Sequence, residues 1–267
     1  MTAARLRLAC VFAHPDDETL GMGGTLARCA AEGIETYVVT ATRGQRGRYG
    51  PHRDGPEHPG PEALGRIREG ELRSACAVLG VREVTVLDHM DGELDRADPA
   101  RVVLEIAEQL RRIRPQVVAT FAPDGGYGHP DHVAICQLAT AAVVRAAEGS
   151  AASHAVSKLY YLAWSERTWA AYQAALKKLV SLVDGVERQA APWPDWAITT
   201  ALDTREHWPT VWRAVRCHES QISIYAPLAE LPEEHHAALW GVQEFYRAMS
   251  LVNGGRRREN DLFEGLR

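Results

Sequence analysis

The chain has 267 residues, 46% of them hydrophobic, which is enough for one sizeable core and leaves room for a second. Its formal net charge of -5 at pH 7 supplies no basic field, which argues against nucleic acid as a partner. No apolar run is long enough to cross a bilayer, and neither apolar content nor charge is that of a disordered chain.

The first apolar run, residues 6–13, suits a strand covered on both faces. It is too short for a signal peptide and runs directly into His14-Pro15-Asp16-Asp17. A helix over 20–32 follows, closed by Gly33, and then a β-branched strand over 35–40. The polar stretch 43–61 is long for an internal loop, and loops of that length more often serve function. A helix carries Leu72, Ala75, Cys76 and Leu79 on one face and stops at Gly80. Residues 83–87 read as a third strand and 88–98 as a polar loop. Pro99 opens a helix with Val103, Ile106, Leu110 and Ile113 on one side. Residues 117–121 form the fourth strand, 123–128 a glycine-rich turn, and 131–147 the next helix. This alternation predicts a Rossmann-like α/β fold, a mostly parallel sheet in a three-layer αβα sandwich. Farther on, 158–164 and 197–202 read as strands, and 169–183, 205–218 and 233–251 as helices. No composition break divides the chain, so a single domain over 1–267 is expected. Five cysteines without Cys-x-x-Cys spacing predict reduced, buried thiols in a cytoplasmic protein rather than a cysteine-bound metal.

Two segments share a pattern, His14-Pro15-Asp16-Asp17 and His129-Pro130-Asp131-His132, and each lies between a predicted strand and a predicted helix. One His-Pro-Asp alone reads as a turn entering an N-cap. Two at equivalent strand ends converge on the crevice where open parallel sheets bind ligands. The acidic run Asp16-Asp17-Glu18 also repels itself unless a cation sits nearby. Imidazole and carboxylate together suit Zn²⁺, and two histidines with one carboxylate leave a coordination position open. Such a site makes a water acidic enough to ionise near pH 7. Asp16 is then the candidate general base, and Tyr127 or a protonated His129 the oxyanion partner. Asp131 is expected to hold His129 in its charged form.

Residues 13–18 (Ala-His-Pro-Asp-Asp-Glu) and 126–132 (Gly-Tyr-Gly-His-Pro-Asp-His) together resemble the PIG-L/LmbE-like zinc deacetylases. The resemblance covers roughly 5 to 145. It implies zinc on His14, Asp17 and His132, Asp16 as base, and His129 as electrostatic partner and acid, with Tyr127 at the oxyanion. It implies that Arg68 and Asp91 grip a sugar, and Gln45 stands where many members carry a glutamate. His218, in Cys217-His218-Glu219-Ser220-Gln221, resembles a late His-x-x-Gln segment of the family and is a candidate to line the pocket. The expected activity is removal of an N-acetyl group from a small-molecule N-acetylglucosamine-type substrate, with homo-oligomerisation left open. The alternatives are an amidase for a larger non-sugar or thiol-conjugate amide, or a non-catalytic metal-binding protein. Trp193 and Trp196 are candidates for stacking on a sugar face. His52, His58, His235 and His236 are expected to be solvated, and Gly21, Gly23 and Gly24 do not form a dinucleotide loop.

Overall fold

The computed structural model describes residues 5–50, 56–149, 152–176, 180–183, 185–189, 191–255 and 257–267. In chain order the elements are β1 (Arg7–Phe12), α1 (Asp17–Ala31), β2 (Glu35–Thr42), α2 (Pro61–Val78), β3 (Glu83–His89), α3 (Pro99–Ile113) and β4 (Val117–Thr120). A one-turn α4 (Gly125–Gly128) leads into α5 (Pro130–Ala146), β5 (Lys158–Leu162), α6 (Glu166–Leu176), β6 (Val180–Val183) and β7 (Val186–Gln189). The last part contains β8 (Thr200–Asp203), α7 (Trp208–Val215), α8 (Ile222–Ala229), α9 (Glu233–Trp240) and β9 (Val242–Ser250).

The main sheet has the order β3-β2-β1-β4-β5-β9-β8. From β3 to β5 every pairing is parallel, and β9 runs antiparallel between β5 and β8. The predicted three-layer α/β class is the one observed. Leu8 to Ala13 are fully buried, as expected of a central parallel strand with helices on both faces. The α3 amphipathic stripe packs Val102, Ile106, Leu110 and Ile113 into the core. Pro99 sits in its first turn behind Asp98, whose carboxylate accepts from the Ala100 N–H at 3.0 Å.

Chain order reverses between β1 and β4, which lie side by side, so a crevice opens beyond their carboxyl ends. The segments after β1, β2, β3 and β4 all emerge on that rim. Both His-Pro-Asp segments therefore meet there, although more than a hundred residues separate them.

Three expectations for the second half are corrected. The helix expected over 233–251 stops at Trp240, and the rest is β9. Phe245 and Met249 satisfy a helical i,i+4 spacing as well as a strand, and the vacancy between β5 and β8 decides the outcome. Gly241 stands at the junction, its N–H closing the helix on the Ala237 carbonyl at a point where a Cβ would strike that same oxygen. The helix expected over 169–183 ends at Leu176, and β6 and β7 pair as an antiparallel hairpin; residues 177–179 lie outside the described set. The strand expected over 197–202 occupies Thr200–Asp203, behind a 3₁₀ turn at Asp195–Ala197.

Candidate active site

The His14 Nδ1 and His132 Nε2 atoms stand 3.2 Å apart. Asp17 completes a triangle, with Oδ1 at 3.4 Å from His132 Nε2 and Oδ2 at 3.7 Å from His14 Nδ1. Ligands bound at about 2.1 Å around a tetrahedral ion lie about 3.4 Å from one another, so the His14–His132 edge and the edge from His132 to Asp17 Oδ1 match such a site, with Asp17 Oδ2 slightly farther from His14. Their orientation is fixed from outside. The His132 Nδ1–H donates to the Gly125 carbonyl at 3.1 Å, leaving Nε2 as a free lone pair. The His14 Nε2–H faces Asp131 Oδ2 at 3.1 Å and Asp91 Oδ1 at 3.2 Å, leaving Nδ1 free. Asp17 Oδ2 accepts from the backbone N–H groups of Ala13 and His14 at 3.2 and 2.8 Å. Burial pushes the Asp17 carboxyl up, but the charges and hydrogen bonds of His132 and His14 prevail and hold it at about 2. A divalent cation therefore fits the donor set. The nitrogens of His14, His129 and His132 also lie within 4.8 Å of one another, so His129 borders the same point.

Asp16 is held apart from this triangle. Its Oδ2 accepts from the Tyr225 hydroxyl at 2.7 Å and from an Arg68 Nη at 3.1 Å. Burial raises the Asp16 carboxyl against the pull of Arg68, and the neighbouring Asp17 charge adds to the rise. Asp16 has φ 104°, left-handed for a residue with a side chain, which costs about 1–3 kcal/mol. That turn sends Asp17 back toward the strand end and Asp16 into the cavity.

Asp131 is fully buried and faces His14 rather than the His129 ring. Its Oδ2 also accepts from Gly92 N–H at 2.7 Å and its Oδ1 from Leu94 N–H at 3.1 Å. The expectation that Asp131 keeps His129 charged is corrected. His129 Nδ1 accepts from the Asp131 backbone N–H, and burial with the nearby His14 and His132 pushes its pKa down to about 3. A neutral His129 carries its proton on Nε2, as a donor. The Tyr127 hydroxyl is pushed up, first by burial and then by Asp17 and Asp16, so it too stays a donor.

The substrate candidates are drawn into the architecture. The Arg68 Nη groups donate to the carbonyls of Gly44 at 2.9 Å and Pro15 at 2.5 Å, besides Asp16. Gly44, at φ 65°, is where a Cβ would strike the guanidinium at 2.0 Å. Asp91 accepts from the Arg46 backbone N–H at 2.9 Å and holds His14, and Gln45 Nε2 donates to the His89 carbonyl at 3.1 Å. All three nevertheless line a cavity of about 570 Å³ over the site, together with Arg46, Arg48, His58, Tyr127, His129 and Gln221. His218 does not line it. That side chain is buried and meets Glu18 at 2.9 Å, while Glu18 accepts from the Asp16 backbone N–H, so His218 acts through two residues. His236 is buried against Trp208 and Trp240, against the expectation that it is solvated, and the half-buried His58 lines the cavity. His52 lies outside the described residues. Trp193 donates to Asp124 at 2.9 Å and Trp196 is exposed; neither lines the cavity.

Sequence reasoning missed Tyr225 and the β6–β7 hairpin. Ser181 on β6 donates to the Gly128 carbonyl at 3.1 Å, and Arg188 on β7 packs where a Gly128 side chain would stand, so the hairpin braces the Tyr127–His129 turn. No local signal marks either feature, because both depend on contacts made across the fold.

Residues 9–143 match the family described as PIG-L, GlcNAc-PI de-N-acetylase. The 1D-myo-inositol 2-acetamido-2-deoxy-alpha-D-glucopyranoside deacetylase of Kineococcus radiotolerans is 34% identical, over 97% of this chain and 83% of that protein. Among solved structures, N,N'-diacetylchitobiose deacetylase from Pyrococcus horikoshii superposes with TM-score 0.67 at 21% identity, covering 90% of this chain and 83% of that one. The 4-carboxy-2-hydroxymuconate hydratase GalB of Pseudomonas putida superposes at 0.70 with 18% identity, covering 94% and 99%, so the architecture alone does not choose the reaction. The paired His-Pro-Asp segments, the family match and the near-full-length identity agree: the chain belongs to the PIG-L family.

Proposed function

We propose that this protein is a zinc-dependent deacetylase that hydrolyses the N-acetyl group of a soluble N-acetylglucosaminide. The observation that carries the proposal is the convergence of His14 Nδ1, His132 Nε2 and the Asp17 carboxylate, with Asp16 beside them but held by other partners. Zinc in that triangle supplies Lewis acidity, polarising the amide carbonyl and bringing the pKa of a water to about 7. Asp16 takes the proton of the attacking water. Because Tyr225 and Arg68 both donate to its Oδ2, the proton is accepted at Oδ1. The Tyr127 hydroxyl and the His129 Nε2–H donate to the carbonyl oxygen as negative charge grows on it. The departing amine takes its proton from Asp16, which received it from the attacking water, while the neutral His129 remains a hydrogen-bond donor.

The sugar fits the polar cavity, whose Gln45, Arg46, Arg48 and Gln221 offer donors and acceptors to hydroxyl groups. Arg48 favours an acidic aglycone there, whereas Arg46 is already paired with Glu93. No helix among the described residues is long and apolar enough to cross a membrane. The same reading takes 1–267 as one domain, supported by the sheet that runs from β3 to β8. It sets the protein in the cytoplasm, supported by five free thiols.

The test pairs metal content with turnover. His14→Ala, Asp17→Ala and His132→Ala should each lower zinc by elemental analysis and abolish release of acetate from N-acetylglucosaminides. Full zinc occupancy in the triple variant would overturn the ligand set, and absence of acetate release by the parent enzyme would overturn the function.

A further inference from the structure

A second cavity, about 250 Å³, opens on the other side of the site. It shares Asp16, Asp17, Tyr127 and Ile224 with the polar cavity, but its other walls differ in kind. Leu20, Phe121, Trp164, Tyr172, Ile224 and Tyr225 line it, and His132 forms its floor. The polar atoms of its two other tyrosines are already engaged, Tyr172 donating to the Leu20 carbonyl at 2.8 Å and Tyr225 to Asp16. Trp164 stacks on Tyr172 at 4.9 Å, and Phe121 stacks on His132 at 3.9 Å. The rings therefore offer carbon faces to whatever enters.

An amide held over the triangle has two ends. The sugar end needs hydrogen-bond partners and finds them in the polar cavity. The acyl end has none to make and faces the aromatic wall. An acetyl methyl fills little of this space, since a cavity of roughly 150 Å³ already accepts a benzene.

We propose that the aromatic cavity is an acyl pocket, and that the chain hydrolyses glucosaminides bearing longer or aryl acyl groups, such as hexanoyl and phenylacetyl, in preference to acetyl. The proposal rests on the deacetylase reading above. The reaction stays an amide hydrolysis: the water oxygen bonds to the acyl carbon, the C–N bond breaks, the amine leaves protonated, and the acid remains as carboxylate. Each methylene moved from water into the pocket is worth up to about fourfold in kcat/KM.

The experiment measures kcat/KM by free-amine release from the methyl glycosides of N-acetyl-, N-hexanoyl- and N-phenylacetyl-glucosamine. It uses the zinc-loaded parent and two pocket-filling variants, Leu20→Trp and Ile224→Trp; the second keeps the test open where the first does not fold. A hexanoyl-to-acetyl ratio above one in the parent, falling at least tenfold in either folded variant, supports the pocket. A ratio of one or less, or a ratio neither folded variant moves, overturns the pocket while acetate release leaves the deacetylase reading standing. If a p-nitrophenyl aglycone raises the rate and Leu20→Trp removes that gain while the acyl ratio holds, the cavity serves the aglycone and the proposal falls. Release from none of the substrates overturns pocket and deacetylase reading together.

Discussion

Asp131→Asn is a near-isosteric change with a large expected effect. Both oxygens of the buried carboxylate are acceptors, Oδ1 for Leu94 N–H and Oδ2 for Gly92 N–H and His14 Nε2–H. An amide has one oxygen, so either orientation sets an NH₂ against an N–H. The less costly choice keeps the carbonyl toward Gly92 and His14 and leaves the Leu94 N–H buried without a partner, costing about 1–3 kcal/mol. The two surviving bonds lose the assistance of the carboxylate charge, about 1 kcal/mol more. The sum is about 3 kcal/mol, or a fall of about 5 °C in Tm for 267 residues at an unfolding entropy of about 2.1 cal/mol/K per residue. His14 loses an anionic partner on Nε2, and zinc affinity should drop about 10- to 100-fold. Urea unfolding of the metal-free protein measures the first effect and chelator competition the second. A variant within about 0.5 kcal/mol of the parent, with unchanged zinc affinity, would refute the view that Asp131 orients the His14 ring.

Asp16→Asn keeps an oxygen for Tyr225 and Arg68, so zinc content should be unchanged while kcat falls about 10²- to 10⁴-fold; lost zinc would mean that Asp16 and Asp17 have been given each other's roles. Tyr225→Phe removes one donor to that carboxylate and should lower kcat about 10- to 100-fold with zinc retained, as expected for a hydrogen bond to a charged group. Far from the site, Glu259 accepts from Lys158 at 2.7 Å, Tyr160 at 2.6 Å and Thr200 at 2.8 Å. Burial raises its carboxyl, but those partners prevail and hold it at about 2. Because the folded value lies below the ordinary one of about 4.3, Glu259 stabilises the fold above that pH, and the contribution disappears as pH falls toward 2. Urea midpoints across pH 7 to 2 should decline in that window for the parent and stay flatter for Glu259→Gln, which starts lower; parallel curves would remove Glu259 from the acid response.

What could be read in advance divides by the range of the cause. His14, Asp17 and His132 were legible because their placement follows from strand ends and short turns, and the parallel sheet brings those ends together. The first five strands were legible as short apolar or β-branched runs, β1, β2, β4 and β5 buried on both faces and β3 half-buried at the sheet edge with its β-branched Val84, Thr85 and Val86. β9 was not, because 242–250 carries both periods and only its slot between β5 and β8 selects one. Tyr225 shows no motif at all; α8 places it over Asp16, and α8 is positioned by packing of the chain after β5. Arg68 and Asp91 were found as residues near the site, but their hydrogen bonds to Asp16 and His14 are a matter of side-chain direction, which sequence spacing does not carry.

The run Asp16-Asp17-Glu18 illustrates how three adjacent acids are separated by environment. Like charge was an argument for a cation, and each acid has one of its own within the protein. Asp17 faces His14 and His132, Asp16 faces Arg68, and Glu18 faces His218. His218 is buried, which disfavours its charge, yet the Glu18 carboxylate outweighs that and raises its pKa. The repulsion is thus answered without a metal, and the case for one rests instead on geometry: two imidazole nitrogens 3.2 Å apart, with an Asp17 oxygen 3.4 Å from one of them, are spaced like ligands of a tetrahedral ion. Neighbouring Asp16 and Asp17 then shift in opposite directions, Asp16 up by burial and Asp17 down to about 2 by two histidines. Carboxylates pushed apart in this way suit different parts in one reaction, and under the proposed function the low one would serve as ligand and the high one as proton carrier. The left-handed turn at Asp16 allows the separation, since an ordinary helical entry would leave the two side chains on less divergent paths.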